Sequence, residues 1–268
     1  MLPSTVKSMP WTSDFQVDHE KKTVKLLPAQ PDISLTAALK GLTDKTIAED
    51  TFRIIHQEHS ELCPVLGREG LTLERYFTPL FGIISRGAHM TVFTRVGASR
   101  ELRIWVPRRS LSCFTYPGCL DTTVAGGLPA GESLLGCIIR EADEEASLPE
   151  ALVRERAIAC GALSYIQQSA KGDGGEIGLI APDLLYVYDL EIDESVICKP
   201  HDDEVQDFYL MTVEEVEDTL ANGEWKTNSA IVMLDFFVRH GIINEGNENN
   251  YAELVMRMHR RLPFPISN

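Results

Sequence analysis

The chain has 268 residues, 44% of them hydrophobic, which is enough to bury a core and excludes an intrinsically disordered protein. Its formal net charge of -15 argues against general affinity for nucleic acid or for anionic membranes, because both select basic surfaces. The expected partners are small molecules and cations, with no nucleic acid and no membrane among them.

The six cysteines are scattered without a CxxC pair, so they are read as reduced, mostly packed thiols and not as a zinc site or disulfide framework. The first residues, "MLPSTVKSMPWTSDF", lack a basic start followed by an apolar run, and no stretch of about 18 apolar residues occurs. A cytosolic protein is expected.

From Thr12 to about Leu80 the pattern suggests a small α/β unit. "FQVDHEKKTVKLL" alternates like a hairpin, and "LTAALKGLTDKTIAEDTFRIIHQEHSEL" has helical spacing interrupted near Gly41. "GAHMTVFTRV" and "ELRIWVPRR" then read as strands joined by the turn "GAS". "DTTVAGGLPAGES" reads as a glycine-rich turn delivering Glu132 and Ser133 to the start of a helix over 133–146. Beyond it, "ACGALSYIQQS" and "LLYVYDLEI" read as strands flanking a loop "KGDGGEIG". "VQDFYLMTVEEVEDTL" passes from strand to helix, with Thr212 as N-cap and Glu215 as its capping-box partner. Two further helices are expected in "NSAIVMLDFFVRHG", stopped by Gly241, and "NYAELVMRMHRRL", stopped by Pro263.

The helix over 133–146 carries the chemistry. With about 100° between successive residues, Leu134, Leu135, Ile138, Ile139 and Ala142 make one apolar stripe, opposite Ser133, Gly136, Arg140 and Asp143. Glu145 falls beside the stripe and Glu141 on its edge, whereas a solubilising acid belongs on the far side. Like charges at i, i+3 and i+4 repel, and partly buried carboxylates need compensation; a divalent cation with hard oxygen ligands, Mg2+ or Mn2+, supplies it for Glu141, Glu144 and Glu145. The plain alternative is a solvated acidic stripe. Arg140 stands at i, i+4 to Glu144 and is expected to pair with it. Backbone N–H groups freed by Gly126, Gly127 and Gly131 would suit a phosphate-bearing substrate.

The segment Gly126–Leu148 resembles the Nudix box: Gly126, Glu132, Arg140, Glu141, Glu144, Glu145 and Leu148 fall at its spacings. Ser147 departs from the pattern, standing where glycine is usual, and a left-handed conformation there costs about 1 kcal/mol relative to glycine. The flanking stretches "LRIWVPRRS", "LLYVYDLEI", "DDEVQDFYLMTVEEV" and "LDFFVRHG" are similar to Nudix-domain proteins related to fungal thiamin pyrophosphokinases.

The resemblance implies an α/β/α sandwich with a mixed sheet over residues 81–245, preceded by an accessory α/β unit over 1–80. A C-terminal helix in 246–268 is expected to pack on the sandwich. It further implies a metal-dependent hydrolase acting on a small organic diphosphate, with thiamin diphosphate or its oxidised and damaged analogues converted to the monophosphate. Glu141, Glu144 and Glu145 would hold Mg2+ or Mn2+, one of them activating water, with Glu132 as an outer ligand near Arg140. Asp121, Asp183 and Glu204 are candidates for a further carboxylate from outside the box. Arg108 and Arg109, at the end of a strand, are expected to clamp the diphosphate, helped by Gly126 and Gly127. Trp105, Tyr165 and Tyr186 are candidates to stack on an aromatic, cationic head group, each with core packing as the alternative. His89 and His259 have no surroundings that favour a ligand role. Two other readings compete: a Nudix-fold isomerase of specialised metabolism, and a binding protein without turnover.

Overall fold

A computed structural model describes residues 1–27, 34–55 and 61–267. Two units emerge from its contacts: Met1–Ser85 with Ile166–Pro182 and Pro263–Asn268, and Arg86–Tyr165 with Asp183–Leu262. This division differs from the expected boundaries at residues 80 and 245, because residues 166–182 group with the N-terminal unit. Side chains explain why: Leu179 packs in that unit's core, and the Glu176 carboxylate accepts the backbone N–H groups of Arg53 and Ile54.

The N-terminal unit runs through α1 (Pro3–Ser8), β1 (Phe15–Asp18), β2 (Thr23–Leu26), α2 (Leu35–Ala48), β3 (Leu62–Pro64), β4 (Thr72–Glu74) and α3 (Thr78–Phe81). The expected hairpin forms, with Phe15 opposite Leu26. The expected interruption near Gly41 does not: α2 continues through it and stops before Asp50, which takes φ 48°. Glycine inside a helix costs only about 1 kcal/mol, and the neighbours Leu39 and Leu42 are buried with Phe77 and Leu80. Residues 56–60, read from the sequence as helical, lie outside the described residues.

The second unit is built on β5 (Ser85–Val96), β6 (Glu101–Arg109), β7 (Val124–Gly127), β8 (Ile158–Gln168), β9 (Ile180–Glu191) and β10 (Val205–Thr212). Its helices are α4 (Leu134–Ala146), α5 (Glu150–Arg156), α6 (Val213–Ala221), α7 (Thr227–Arg239) and α8 (Tyr251–Met258). The six strands form a mixed sheet of order β10-β6-β5-β9-β8, with β7 paired to β5. Strand alternation distributes the apolar residues to two faces. Ala88, Met90, Val92, Trp105, Tyr188 and Leu190 pack with Cys137, Ile138 and Ala142 of α4. Their neighbours Phe93, Ile104 and Val106 pack with Val216 of α6 and Met233, Phe236 and Phe237 of α7. Leu163, Leu185 and Val187 meet Val232 of α7 and Met258 of α8. Helices therefore cover both faces, as the α/β/α expectation requires.

Three local features differ from the sequence reading and one agrees with it. Residues 124–127, read as a turn, form a strand antiparallel to β5, with Ala88 opposite Gly126 and Gly87 opposite Gly127. The helix α5, with Pro149 at its N-cap, has no counterpart in the sequence reading. Helix α8 ends at Met258 and not at Pro263, because His259 bridges Ser164 and the Arg260 N–H donates to the Ser164 carbonyl at 2.8 Å. The Thr212 and Glu215 capping box is present in both directions, at 3.0 and 2.8 Å.

Ile138 is fully buried between α4 and the sheet. Ile138→Ala is expected to lower stability by about 2–5 kcal/mol, read as a shift in the urea midpoint at unchanged slope.

Candidate active site

Helix α4 starts at Ser133, whose Oγ accepts the Gly136 N–H at 3.1 Å, and its buried face includes Glu145 as well as the apolar stripe. The Glu145 carboxylate accepts the Ala125 N–H of β7 at 2.8 Å and is 7% exposed. One residue along β7, a β-carbon on Gly126 would lie 2.2 Å from Glu141 Oε1, so only glycine leaves room for that carboxylate. Glu141 and Glu145 are thus drawn together against one strand. Burial, then the neighbouring Glu141 and Asp121, push the Glu145 carboxyl well above the usual carboxylate range.

Arg140 gathers the remaining acids of the box. It binds Glu132 through two nitrogens at 3.1 Å each, and reaches Glu141 and Glu144 at 2.9 Å. The expected pairing with Glu144 is present, and the position of Glu132 beside Arg140 has the same origin. At the far end of the helix Ser147 adopts φ 54° and ψ 33°, the left-handed conformation that glycine serves elsewhere. Its Oγ donates to the Lys199 carbonyl at 3.1 Å, while the Lys199 N–H caps Ala146 and the His201 ring meets the Asp143 carbonyl. These contacts offset the strain and fix the helix end.

Among the described residues no three His, Cys, Asp or Glu side chains stand together as a finished metal cage. The donors nevertheless fit a hard divalent cation: Glu141 and Glu145 present carboxylate oxygens at one strand, and a positive charge there would relieve the mutual repulsion that penalises ionised Glu145. Glu144, half exposed, would have to leave Arg140 to join them.

Behind this edge lies a buried charge network that the sequence reading did not assemble. Asp121, one of the candidate acids, accepts from Arg109 at 3.2 Å, Lys226 at 3.0 Å and Ser229, and is 4% exposed. Burial raises its carboxyl, and Lys226 and Arg109 outweigh burial to hold it at about 2. His89 bonds Thr122 at 2.8 Å, and burial with the nearby Lys226 pushes its imidazole down to about 3, so it stays neutral.

The two arginines expected to clamp a diphosphate are engaged within the protein. Arg109 is buried against Asp121 and the Thr115 carbonyl; Arg108 binds the Gly118 carbonyl at 2.8 Å and Glu224 at 3.4 Å. Glu204 is exposed. Trp105 and Tyr186 lie on the α4 face and Tyr165 on the α7 face, so the three aromatics do not share one stacking platform. Asp183 is buried near Tyr165 and Lys226, and burial raises its carboxyl to about 7. Local sequence gives no signal for Lys226, because it meets Asp121 only through the fold, from the N-cap of α7. A cavity of about 590 Å³ in the N-terminal unit contains none of these residues.

The NUDIX domain model matches residues 86–231, more than half of the chain, and the chain belongs to the Nudix family. It is 40% identical over 200 residues to the uncharacterised protein YJR142W of Saccharomyces cerevisiae, covering 73% of this chain and 58% of that one. It is 38% identical over 191 residues to Nudix hydrolase 20, chloroplastic, of Arabidopsis thaliana (71% and 48% covered) and 32% over 188 residues to Nudix hydrolase 24, chloroplastic, of the same plant (70% and 48%). The chain spans about half the length of these curated relatives. Among the described residues no helix is long and apolar enough to cross a membrane.

Asp121→Asn leaves Arg109 and Lys226 buried without a counter-charge and is expected to cost about 3–5 kcal/mol at pH 7. Because the folded pKa lies below the ordinary 3.8, the wild-type advantage is present above that value and fades as pH falls toward about 2. Urea unfolding of both proteins between pH 7 and pH 2.5 reads the convergence.

Proposed function

We propose that this chain is a metal-dependent diphosphohydrolase that cleaves a small organic diphosphate to the monophosphate. Thiamin diphosphate and its oxidised or damaged analogues are the first substrates in view. The carrying observation is the placement of Glu145 on the Ala125 N–H with Glu141 beside it across Gly126. Membership of the Nudix family supports the reaction class, and the similarity to fungal thiamin pyrophosphokinase-related proteins supports the substrate class. In this reading the accessory role of residues 1–80 and the cytosolic location belong to the same proposal.

Glu141, Glu144 and Glu145 would hold Mg2+ or Mn2+. A bound divalent ion neutralises diphosphate charge and acidifies a coordinated water. The protein's own part is orientation. The β7 backbone fixes Glu145, the missing side chain at Gly126 admits Glu141, and Arg140 holds Glu132 and Glu144 beside that edge. Gly126 and Gly127 leave the strand free of side chains where phosphate oxygens would approach. Arg109 serves indirectly, by holding Asp121 ionised with Lys226 behind the acidic edge.

The test is incubation of the purified chain with Mg2+ or Mn2+ and a panel of thiamin, oxidised thiamin, nucleoside and isoprenoid diphosphates, read by mass spectrometry. Monophosphate release is expected. Glu145→Gln should cut it by about 10²–10⁴-fold and raise Tm in metal-free buffer, since it removes a buried carboxylate beside Glu141. An equal-mass rearranged product, or no turnover with any diphosphate, would contradict the proposal.

A further inference from the structure

In the N-terminal unit β3 and β4 pair Leu62 with Glu74 and Pro64 with Thr72, so these four side chains share one face while Leu73 turns into the core. Thr36, Lys40, Thr43, Asp44 and Ile47, spaced three and four residues apart, form one stripe of α2. Stripe and strands together enclose a cavity of about 300 Å³, the size at which small-molecule pockets begin. Ile47 and Leu62 give it an exposed apolar rim.

Glu74 lines this cavity and is 8% exposed. The backbone N–H groups of Tyr76 and Arg75 reach its carboxylate, yet among the described residues Oε1 has no hydrogen-bond partner. The neighbouring cations are engaged elsewhere: Arg75 binds Glu61 at 2.7 Å, and Lys40 binds Asp44 at 2.8 Å. Burial outweighs the Tyr76 N–H and raises the Glu74 carboxyl to about 7, with Glu61 adding to the rise. Glutamine would fill the same space without burying an acid, so a carboxylate facing a cavity is explained by a donor that enters it.

The other polar groups of the cavity select the donor. The Thr43 hydroxyl commits its proton to the Leu39 carbonyl at 3.0 Å and offers only a lone pair. Acceptors beneath an apolar rim match a group with several N–H donors, a positive charge and an alkyl body.

We propose that this cavity binds a small primary amine in its ammonium form, with N–H groups donating to Glu74 Oε1 and to the Thr43 hydroxyl and the alkyl body resting on Ile47 and Leu62. The site is independent of the diphosphohydrolase reading and gives the N-terminal unit a ligand of its own.

The full chain is titrated with n-butylamine, n-butanol and tetramethylammonium, and binding is read from the backbone amide resonances of residues 72–76. The charged groups facing Glu74 are Lys40 and Asp44 of α2 and Glu61 and Arg75 beside β4, each held in a pair. Wild type should bind butylamine about tenfold more tightly at pH 8 than at pH 6, where Glu74 carries a proton. Glu74→Gln should bind it about tenfold more weakly at pH 8, lose the pH dependence, and hold or raise Tm, because an uncompensated buried carboxylate is gone. Leu62→Lys places an ammonium opposite Glu74 on the paired strand, and should abolish butylamine binding and raise Tm. No butylamine binding by wild type, or binding of butanol or tetramethylammonium as tight as that of butylamine, would overturn the inference. Equal butylamine affinity in wild type and Glu74→Gln, as for a carboxyl completed by an internal water, would overturn it too.

Discussion

The contact between α4 and β7 through Gly126 is the constraint on which the rest of the second unit depends. A strand residue with any side chain would occupy the position of the Glu141 carboxylate. With glycine there, the helix settles close enough for Glu145 to take the Ala125 N–H, and two acids that repel each other are fixed on one edge. The apolar packing of Ile138, Cys137 and Ala142 holds this arrangement against the repulsion. Burial thus supplies the free energy, and the backbone hydrogen bond supplies the direction.

The same sheet separates two electrostatic tasks. On the α4 face Arg140 collects Glu132, Glu144 and Glu141 near the surface. Behind it Asp121 is neutralised by Arg109 and Lys226 in the interior, where a lone charge would not be tolerated. At the glycine strand Glu145 is left under-compensated, with Glu141 beside it and one backbone N–H as partner. It lies where a bound cation would complete it, so the energetic deficit and the proposed chemistry fall at the same place.

Much of this was legible in the sequence wherever a local period carried the signal. The stripe of Leu134, Ile138 and Ala142 alone places Glu145 beside the core, and Thr212 with Glu215 marks a helix start. The strand β7 was hidden because Ala125, Gly126 and Gly127 have weak strand preference, and pairing with β5 overrides it. Arg108 and Arg109 sit at a strand end as expected, but their partners Glu224 and Asp121 come from other segments, so the protein's own acids claim them. Gly41 does not break α2, since burial of Leu39 and Leu42 carries the helix through it. Lys226 gains its meaning only from its tertiary neighbour Asp121.

The most direct test of the account is metal binding by the protein whose acidic edge has been disturbed at its origin. Wild type and Gly126→Ala, each checked for folding by circular dichroism, would be titrated with Mn2+ and the bound ion counted by electron paramagnetic resonance. The account predicts bound Mn2+ in wild type and a loss of about tenfold or more in affinity in the variant, because the new methyl group evicts the Glu141 carboxylate. Equal Mn2+ affinity in the two folded proteins would contradict it.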